Sequence, residues 1–253
     1  MSEPVDTLFR LVCAMPTYRE GPLARSALES VLGHVDEVIV WEGPAGAVHV
    51  PDVAPETPLV ELAELGAHTR VDTWTADHDK RTAMLKYAKE RWHDRPLWIV
   101  WLDADEILVN AGGIRDAIRA QMWEDEVQGR SIVKPDNTPT GGLVIRYVEA
   151  DGSVSKEWGR CIRADVIRRY VVSNLMLETV LGQQLRLGRR QEHAGEWRDP
   201  RARVHGEYLV LDPPLPGEPC FVHRSHLRHP ARAALRLHEA EHERLVELGL
   251  PTA

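Results

Sequence analysis

The first 110 residues alternate short apolar runs with amphipathic stretches, and this alternation predicts β-strands and α-helices in turn. The apolar runs predict four strands, at residues 8–16, 38–41, 69–74 and 97–102. The amphipathic stretches predict helices at residues 21–34, 59–65 and 79–92, with Asp79 as the N-cap of the third. Residues 44–58, rich in Pro and Ala, predict a loop. Such an order is typical of an α/β fold, in which a mostly parallel sheet carries helices on both faces.

The pattern changes after residue 110. Residues 112–123 predict a helix, and residues 142–149 with 154–158 predict a hairpin around Asp151-Gly152. Residues 160–172 predict a strand, residues 175–182 a short helix or turn, and residues 229–248 a charged C-terminal helix, whereas residues 183–220 give no firm prediction. Because neither an internal repeat nor a clean linker interrupts the chain, we expect a single domain over residues 1–253. Residues 111–253 would add a smaller antiparallel extension to the Rossmann-like sheet of residues 1–110.

The charge of the chain is acidic and unevenly distributed. Lys and Arg number 31 against 39 Asp and Glu, which gives a formal net charge of −8. This balance argues against a general binder of the nucleic-acid backbone, which needs a basic surface. Residues 1–110 hold 10 basic and 19 acidic residues, whereas residues 111–253 hold 21 and 20. The asymmetry suggests that the two halves do different work.

The cysteines and the hydropathy profile predict where the protein resides. Cys13, Cys161 and Cys220 lie far apart with no C-x-x-C spacing, so we expect buried free thiols rather than disulfides or a zinc site. The N-terminus has no basic segment followed by an apolar one, so we expect no signal peptide. The longest apolar run, residues 97–102, is too short to span a bilayer. We therefore expect a soluble cytoplasmic protein, and the sequence does not indicate its oligomeric state.

The strongest chemical signal is the pair of carboxylates in Asp103-Ala104-Asp105, which directly follows the apolar run LWIVWL. Two carboxylates one residue apart at a strand end suit a hard divalent cation, Mg²⁺ or Mn²⁺, shared with a substrate phosphate. The alternative interpretation is that the acidic residues only solubilise the strand end or cap the next helix. Ligands of parallel sheets bind at the carboxyl ends of the strands. That rule groups Thr17, Glu42, residues 77–81 and residues 103–106 at one edge.

These motifs resemble the family-2 glycosyltransferases of the GT-A fold, in particular a bacterial branch that contains LDADE. The matching features are the turn Pro16-Thr17-Tyr18-Arg19-Glu20, the acidic end of the second strand at Glu42, the basic pair Lys80-Arg81 and the phrase LDADEIL. The resemblance covers roughly residues 8–110 and implies a GT-A fold that binds a nucleotide-sugar. It implies nucleotide-sugar contacts at Pro16, Thr17, Tyr18, Glu20, Glu42, Lys80, Arg81, Asp103 and Ala104.

The same resemblance implies a metal site, with ligands from both halves of the chain, and a catalytic base in the later half. Asp103, Asp105 and His223 would hold Mn²⁺ or Mg²⁺, and an imidazole ligand suits Mn²⁺ better. A single His at a strand end is also commonly structural. Glu178 matches the position of the acceptor-side base, although Leu177 replaces the His that precedes it in the family. A helix-surface role for Glu178 is equally compatible with the sequence, and the reserve candidates are Asp199 and Glu207.

The function implied by the resemblance is metal-dependent transfer of a sugar from a UDP- or GDP-sugar to an acceptor hydroxyl, with inversion at the anomeric carbon. The acceptor class stays open between a saccharide, a lipid-linked glycan, a small metabolite and a modified nucleic-acid base. Two alternatives are a catalytically silent GT-A-like nucleotide-binding domain and a nucleotidyltransferase, which would release pyrophosphate. A haloacid-dehalogenase phosphatase is disfavoured because its D-x-D closes the first strand. A dinucleotide dehydrogenase is disfavoured because no G-x-G-x-x-G follows that strand.

Overall fold

The structure is a computed structural model that describes residues 8–45, 56–129, 142–148, 152–172, 176–179, 184–186, 202–205, 208–211, 218–224 and 227–228. The helices are α1 (Leu23–Glu29), α2 (Leu59–Glu64), α3 (Asp77–Arg91) and α4 (Gly112–Val127). The strands of the first half are β1 (Arg10–Thr17), β2 (Glu37–Glu42), β3 (His68–Val71), β4 (Leu97–Trp101) and β5 (Glu106–Val109). Those that follow are β6 (Gly142–Val148), β7 (Val154–Arg163), β8 (Ile167–Val172), β9 (Met176–Thr179), β10 (Gln184–Arg186), β11 (Ala202–His205), β12 (Tyr208–Leu211) and β13 (Cys220–His223).

The main sheet has eight strands in the order β3-β2-β1-β4-β7-β6-β13-β5. The first four strands are parallel, and β13 also runs parallel to β6, whereas the remaining neighbours are antiparallel. Two smaller antiparallel sheets, β10-β9-β8 and β11-β12, lie in the second half of the chain. The predicted α/β class, a mostly parallel sheet flanked by helices with a smaller antiparallel extension, is therefore confirmed.

The core lies on both faces of the parallel strands because β1 alternates its side chains between them. Leu11 and Cys13 belong to a cluster that includes buried residues of α1 and α4, whereas Val12 and Ala14 belong to the cluster on the α3 side. All four side chains are almost fully buried. Helices thus cover both faces, as the alternating pattern predicted. Within the described residues, no helix combines the length and the apolar character needed to cross a membrane.

Several predicted elements differ from those observed. Helix α3 begins at Asp77 with Ala76 as its N-cap, so Asp79 lies in the first turn and the prediction of an Asp79 cap was wrong. Strand β3 ends at Val71, and Trp74 is half-buried beyond it, paired only through a bridge to Ala45. Helix α1 is shorter than predicted and α4 is longer.

The second half also holds elements that the sequence did not predict. The stretch predicted as a short helix or turn at residues 175–182 contains strand β9, which pairs with β8 and β10. Cross-strand pairing, a long-range interaction, therefore overrides the local preference there. The predicted β6–β7 hairpin is confirmed by the register Val148↔Val154. Strand β5 was not predicted, because its apolar run is short and directly follows the acidic turn. The predicted helix at residues 229–248 lies outside the described residues.

Gly43, directly after β2, adopts a conformation that other residues rarely reach. Its φ is 137°, and a Cβ atom there would overlap the carbonyl oxygen of Asp72. We expect Gly43→Ala to lower the free energy of unfolding by about 3 kcal/mol, because strain and backbone overlap add. Urea unfolding measures this loss. Gly33 is the matched control, since its φ is 81° but no atom lies within 4 Å of the added Cβ, and Gly33→Ala should cost only about 1 kcal/mol. Equal costs at the two positions would contradict the steric argument.

The three cysteines are free and buried, as predicted. Burial raises the pKa of Cys13 to about 12, with a further contribution from the charge of Glu106, and burial also raises the pKa of Cys161. Since the thiolate is the reactive form, we expect neither thiol to react with iodoacetamide in the native protein at pH 8. Peptide mapping after labelling, with and without denaturant, measures this. Native labelling of Cys13 or Cys161 as fast as in denaturant would contradict the prediction.

Candidate functional site

Strands β1, β2 and β4 end at the same edge of the sheet because they are parallel and adjacent. The register pairs Thr17 with Glu42 and Ala14 with Trp101, so the acidic turn after β4 begins beside the turn after β1. Helix α3 starts at this edge and brings Arg81 to it. This edge is where ligands of parallel sheets bind.

The turn after β1 holds the Glu42 side chain in place. Arg19 has a φ of 52°, in the left-handed region that is uncommon for a residue other than glycine, and its N–H donates a hydrogen bond of 2.7 Å to Glu42 Oε1. The other oxygen, Oε2, is buried and has no hydrogen-bond partner among the described residues. A buried carboxylate oxygen is normally satisfied. Glu42 is therefore positioned to accept a hydrogen bond from a group that is not part of the described chain.

Lys80 ties the ends of β1 and β2 together. Its ammonium donates hydrogen bonds to the carbonyl oxygens of Thr17 (2.7 Å) and Gly43 (2.9 Å), and the residue is only 3% exposed. The same Nζ lies 4.8 Å from the centroid of the Trp74 ring, in a cation–π contact. These contacts fix two turns that meet at the edge.

Asp103, the first carboxylate of the D-x-D motif, is held between two arginines. Its Oδ1 accepts a hydrogen bond of 3.1 Å from Arg81 Nη2, and its Oδ2 lies 3.3 Å from Arg160 Nη1. Arg81 also donates from Nε to Asp77, at 2.7 Å. Burial by itself would lower the pKa of Arg81, but Asp77 and Asp103 together raise it above its ordinary value, so the guanidinium stays charged.

Asp105, the second carboxylate, is fully buried and has both oxygens engaged. His223 Nε2 lies 2.8 Å from Oδ2, and Arg228 Nη2 donates a hydrogen bond of 2.6 Å to Oδ1. His223 reaches this position because β13 pairs antiparallel with β5, which places it opposite Glu106. Arg228 Nε also lies 3.6 Å from Glu20 Oε2, which joins the C-terminal part of the site to the turn after β1.

Glu106 stabilises the acidic turn through three hydrogen bonds. Its Oε2 accepts a hydrogen bond of 2.8 Å from the Asp103 N–H, while its Oε1 accepts from Arg160 (2.9 Å) and from the hydroxyl of Tyr147 (3.0 Å). Burial raises the pKa of Glu106 to about 7, and the charge of Arg160 opposes that rise. Burial and the charge of Glu106 also raise the pKa of Tyr147, so its hydroxyl remains a donor. The turn is thus fixed from several sides.

The side chains at the turn suit a metal ion that also binds the substrate better than one held by protein ligands alone. Among the described residues, no three His, Cys, Asp or Glu side chains are arranged to hold one ion. Asp105 and His223 nevertheless present a carboxylate oxygen and an imidazole nitrogen side by side. Two such donors suit a Mn²⁺ or Mg²⁺ ion whose remaining ligands come from substrate phosphates and water.

Comparison with known proteins adds little to this geometry. Neither the protein-family models nor the curated proteins compared with the chain match it. Among solved structures, the crystal structure of TarS from S. aureus, a glycosyltransferase, is similar at a TM-score of 0.34 and 17% identity. The match covers 56% of this chain and 22% of TarS. At this level the similarity assigns neither a family nor an activity to the chain.

The predicted site residues of the first half lie at one edge of the sheet. Thr17, Glu20, Asp103 and Ala104 are buried there, and Pro16, Tyr18 and Glu42 are half-buried. Glu178 belongs to β9 in the small three-stranded sheet, opposite Gln184 of β10, and its side chain lies outside the described residues. The reserve candidates Asp199 and Glu207 also lie outside them.

Two arginines of the site were not predicted as site residues. Arg160 reaches Asp103 and Glu106 because β7 pairs with β4, a contact that joins residues 57 positions apart. The only local signal was the spacing of two arginines in Arg160-Cys161-Ile162-Arg163. Arg228 reaches Asp105 across 123 positions, and nothing in its sequence surroundings distinguishes it from the neighbouring arginines. Both arginines can be recognised as site residues only once the order of the strands in the sheet is known.

Proposed function

We propose that the chain is a glycosyltransferase of the GT-A type that takes its sugar from a nucleoside-diphosphate sugar. One observation carries the proposal: a D-x-D turn, a carboxylate with an unsatisfied buried oxygen and a charged arginine all meet at the carboxyl edge of a parallel sheet. The resemblance of residues 8–110 to family-2 glycosyltransferases supports the same function.

The nucleoside would bind at the ends of β1 and β2. Glu42 Oε2 would accept a hydrogen bond from the base or the ribose, because it has no partner among the described residues. The turn from Pro16 to Glu20 would lie along the nucleoside, with Tyr18 half-exposed at the edge. Lys80 donates to backbone carbonyls, so it would act by holding both turns in position.

The diphosphate would bind at the turn after β4. Asp105 and His223 would hold Mn²⁺ or Mg²⁺, with Asp103 and Ala104 beside the donor and Arg81 keeping Asp103 oriented. When bound there, the metal would supply Lewis-acid neutralisation of the charge on the departing nucleoside diphosphate. The Asp105 carboxylate is buried and fixed by hydrogen bonds before any metal or nucleotide binds, so its position is set in advance.

The acceptor side of the proposal depends on Glu178. In the family pattern, a carboxylate at this position takes the proton of the acceptor hydroxyl as it attacks the anomeric carbon with inversion. The donor would be a UDP- or GDP-sugar, and the acceptor a saccharide, a lipid-linked glycan, a small metabolite or a modified nucleic-acid base.

The test combines binding with turnover. A thermal-shift screen of UDP, GDP and their sugars, with and without Mn²⁺, is expected to show stabilisation by one nucleotide that depends on the metal. A nucleoside-diphosphate release assay with the matching donor should then show hydrolysis or transfer. Pyrophosphate release from a nucleoside triphosphate would instead indicate a nucleotidyltransferase, and the absence of any nucleotide binding would overturn the proposal.

A second candidate is a catalytically silent domain of the same fold that only binds a nucleotide. One observation favours it: both oxygens of each D-x-D carboxylate already contact an arginine or histidine. Metal-independent stabilisation by a nucleotide, with no release of nucleoside diphosphate from any donor, would favour this candidate over the enzyme.

Glu42 provides a direct prediction about the nucleoside. We expect Glu42→Gln to weaken nucleotide affinity about tenfold, because the single amide oxygen cannot accept from both the Arg19 N–H and the nucleoside. Isothermal titration with the nucleotide found in the screen measures the change. Glu37→Gln is the control, since Glu37 lies at the opposite end of β2 and pairs with Arg10 and His68. Equal affinity in Glu42→Gln and the unsubstituted protein would remove Glu42 from the nucleoside site.

A further inference from the structure

Arg228 is a buried cation that contacts the carboxylate on which the proposed metal site depends. Its side chain is 3% exposed, and Nη2 lies 2.6 Å from Asp105 Oδ1, while Asp105 itself is fully buried. A guanidinium at this distance makes a charge-assisted hydrogen bond, which is among the strongest in proteins. Asp105 therefore already has a positive partner before any metal arrives.

The charges around the turn are close to balanced in the described part of the chain. Five carboxylates face five cations there; the carboxylates are Asp77, Asp103, Asp105, Glu106 and Glu20, and the cations are Arg81, Arg160, Arg224, Arg228 and Lys80. Arg81, Arg160 and Arg228 each contact at least one of these carboxylates, whereas the Arg224 side chain contacts Ser26. A diphosphate would thus meet no excess of positive charge. Its binding requires that a cation be added or that an arginine be released.

A divalent cation and the Arg228 guanidinium cannot both bind Asp105 at low cost. A metal held by Asp105 and His223 would lie between Oδ2 and His223 Nε2, while the guanidinium holds Oδ1 of the same carboxylate. A charge of +2 a few ångströms from a buried guanidinium is strongly repelled where water does not screen the charges. Glu20, 3.6 Å from Arg228 Nε, offers the displaced guanidinium a second carboxylate on the same side.

We propose that Arg228 is an internal counter-ion that competes with the divalent cation for Asp105, so that metal binding releases its guanidinium from that carboxylate. This inference rests on the proposed function. In the ligand-free protein, Arg228 neutralises Asp105 and keeps the turn folded. When the metal binds Asp105 and His223, the guanidinium moves away from Asp105 and becomes available to Glu20 or to the diphosphate.

Direct measurement of Mn²⁺ binding tests the competition without any turnover. Electron paramagnetic resonance counts free Mn²⁺ in titrations of the unsubstituted protein, Arg228→Gln and Arg228→Lys. We expect Arg228→Gln to bind Mn²⁺ about tenfold more tightly, as for two coupled binding equilibria, and Arg228→Lys to fall between the two. Mn²⁺ should also raise the Tm of Arg228→Gln more than that of the unsubstituted protein, because the metal replaces the missing counter-ion.

The control is Arg224→Gln, which removes a nearby positive charge whose side chain contacts Ser26 instead of the carboxylates. Equal gains in Mn²⁺ affinity in Arg224→Gln and Arg228→Gln would overturn the proposal, since they would reflect general charge alone. Unchanged or weaker Mn²⁺ binding in Arg228→Gln would overturn it as well. If Arg228→Gln does not fold, the double variant Glu20→Gln/Arg228→Gln keeps the net charge and takes its place.

The result of the Mn²⁺-binding test can be distinguished from the result of the test of the proposed function. If the unsubstituted protein and all variants bind no Mn²⁺, the competition is overturned, whereas nucleoside-diphosphate release assayed both with Mn²⁺ and with EDTA decides separately on the enzyme: release in either condition keeps it, and release in neither overturns it. If Arg228→Gln binds Mn²⁺ more tightly and no donor is turned over, the competition stands and the enzyme proposal fails.

Discussion

Asp105→Asn is expected to lower nucleoside-diphosphate release from the donor sugar on the order of a thousandfold, the loss typical for removing a preorganised group that stabilises transition-state charge. The reason is that Asp105 is the one carboxylate of the described turn that lies beside His223, at 2.8 Å. An amide keeps the shape of the side chain but carries no charge for a metal. Steady-state release assays at saturating donor and Mn²⁺ measure the loss.

The same variant removes the partner of a buried arginine, so stability must be measured beside activity. Among the described residues, Asp105→Asn leaves Glu20 as the carboxylate beside Arg228, and we expect a lower Tm for this reason. The separating measurement is the increase in Tm on adding Mn²⁺, which should be present in the unsubstituted protein and absent in Asp105→Asn. Asp116→Asn, on the exposed side of α4, is the control and should keep both activity and the Mn²⁺ response. Full donor turnover in folded Asp105→Asn would contradict the proposed metal site.

The sequence was sufficient to predict the parallel half of the sheet and the edge where the site lies. Strands such as LWIVW are continuous apolar runs because helices cover both of their faces, and such runs are easy to detect. The polar residues that follow these strands then meet at one edge by the geometry of parallel pairing alone. Thr17, Glu42 and Asp103 were placed correctly on this edge for that physical reason.

The partners of those carboxylates could not be predicted because they come from distant strands with no local signal. Arg160 lies on β7 and Arg228 beyond β13, and both reach the turn only through the order β4-β7-β6-β13-β5. The sequence indicated two carboxylates at a strand end that suit a metal, but not that Asp105 is fully buried against Arg228 and His223. Strand β9 was missed for a related reason, since its pairing with β8 and β10 is not encoded in its own four residues.

Arg160→Met is expected to lower the free energy of unfolding by about 3 kcal/mol, because it leaves the buried Glu106 carboxylate without its arginine and, among the described residues, Asp103 with Arg81 alone. Arg160 contacts Asp103 at 3.3 Å and Glu106 at 2.9 Å, and the Glu106 side chain has no exposed surface. Methionine fills much of the same volume, so the loss reports the charge more than the packing. Urea unfolding at pH 8 measures it.

A matched exposed pair and a double variant distinguish a buried ion pair from a general effect of losing an arginine. Arg119 pairs with Asp116 on the surface of α4, and Arg119→Met should cost at most about 1 kcal/mol. Glu106→Gln combined with Arg160→Met should recover about 1 kcal/mol relative to Arg160→Met alone, since the uncompensated charge is gone. A cost at Arg160 no larger than that at Arg119 would mean that water screens the turn. In that case the contacts of Arg160 with Asp103 and Glu106 would contribute little to holding the turn.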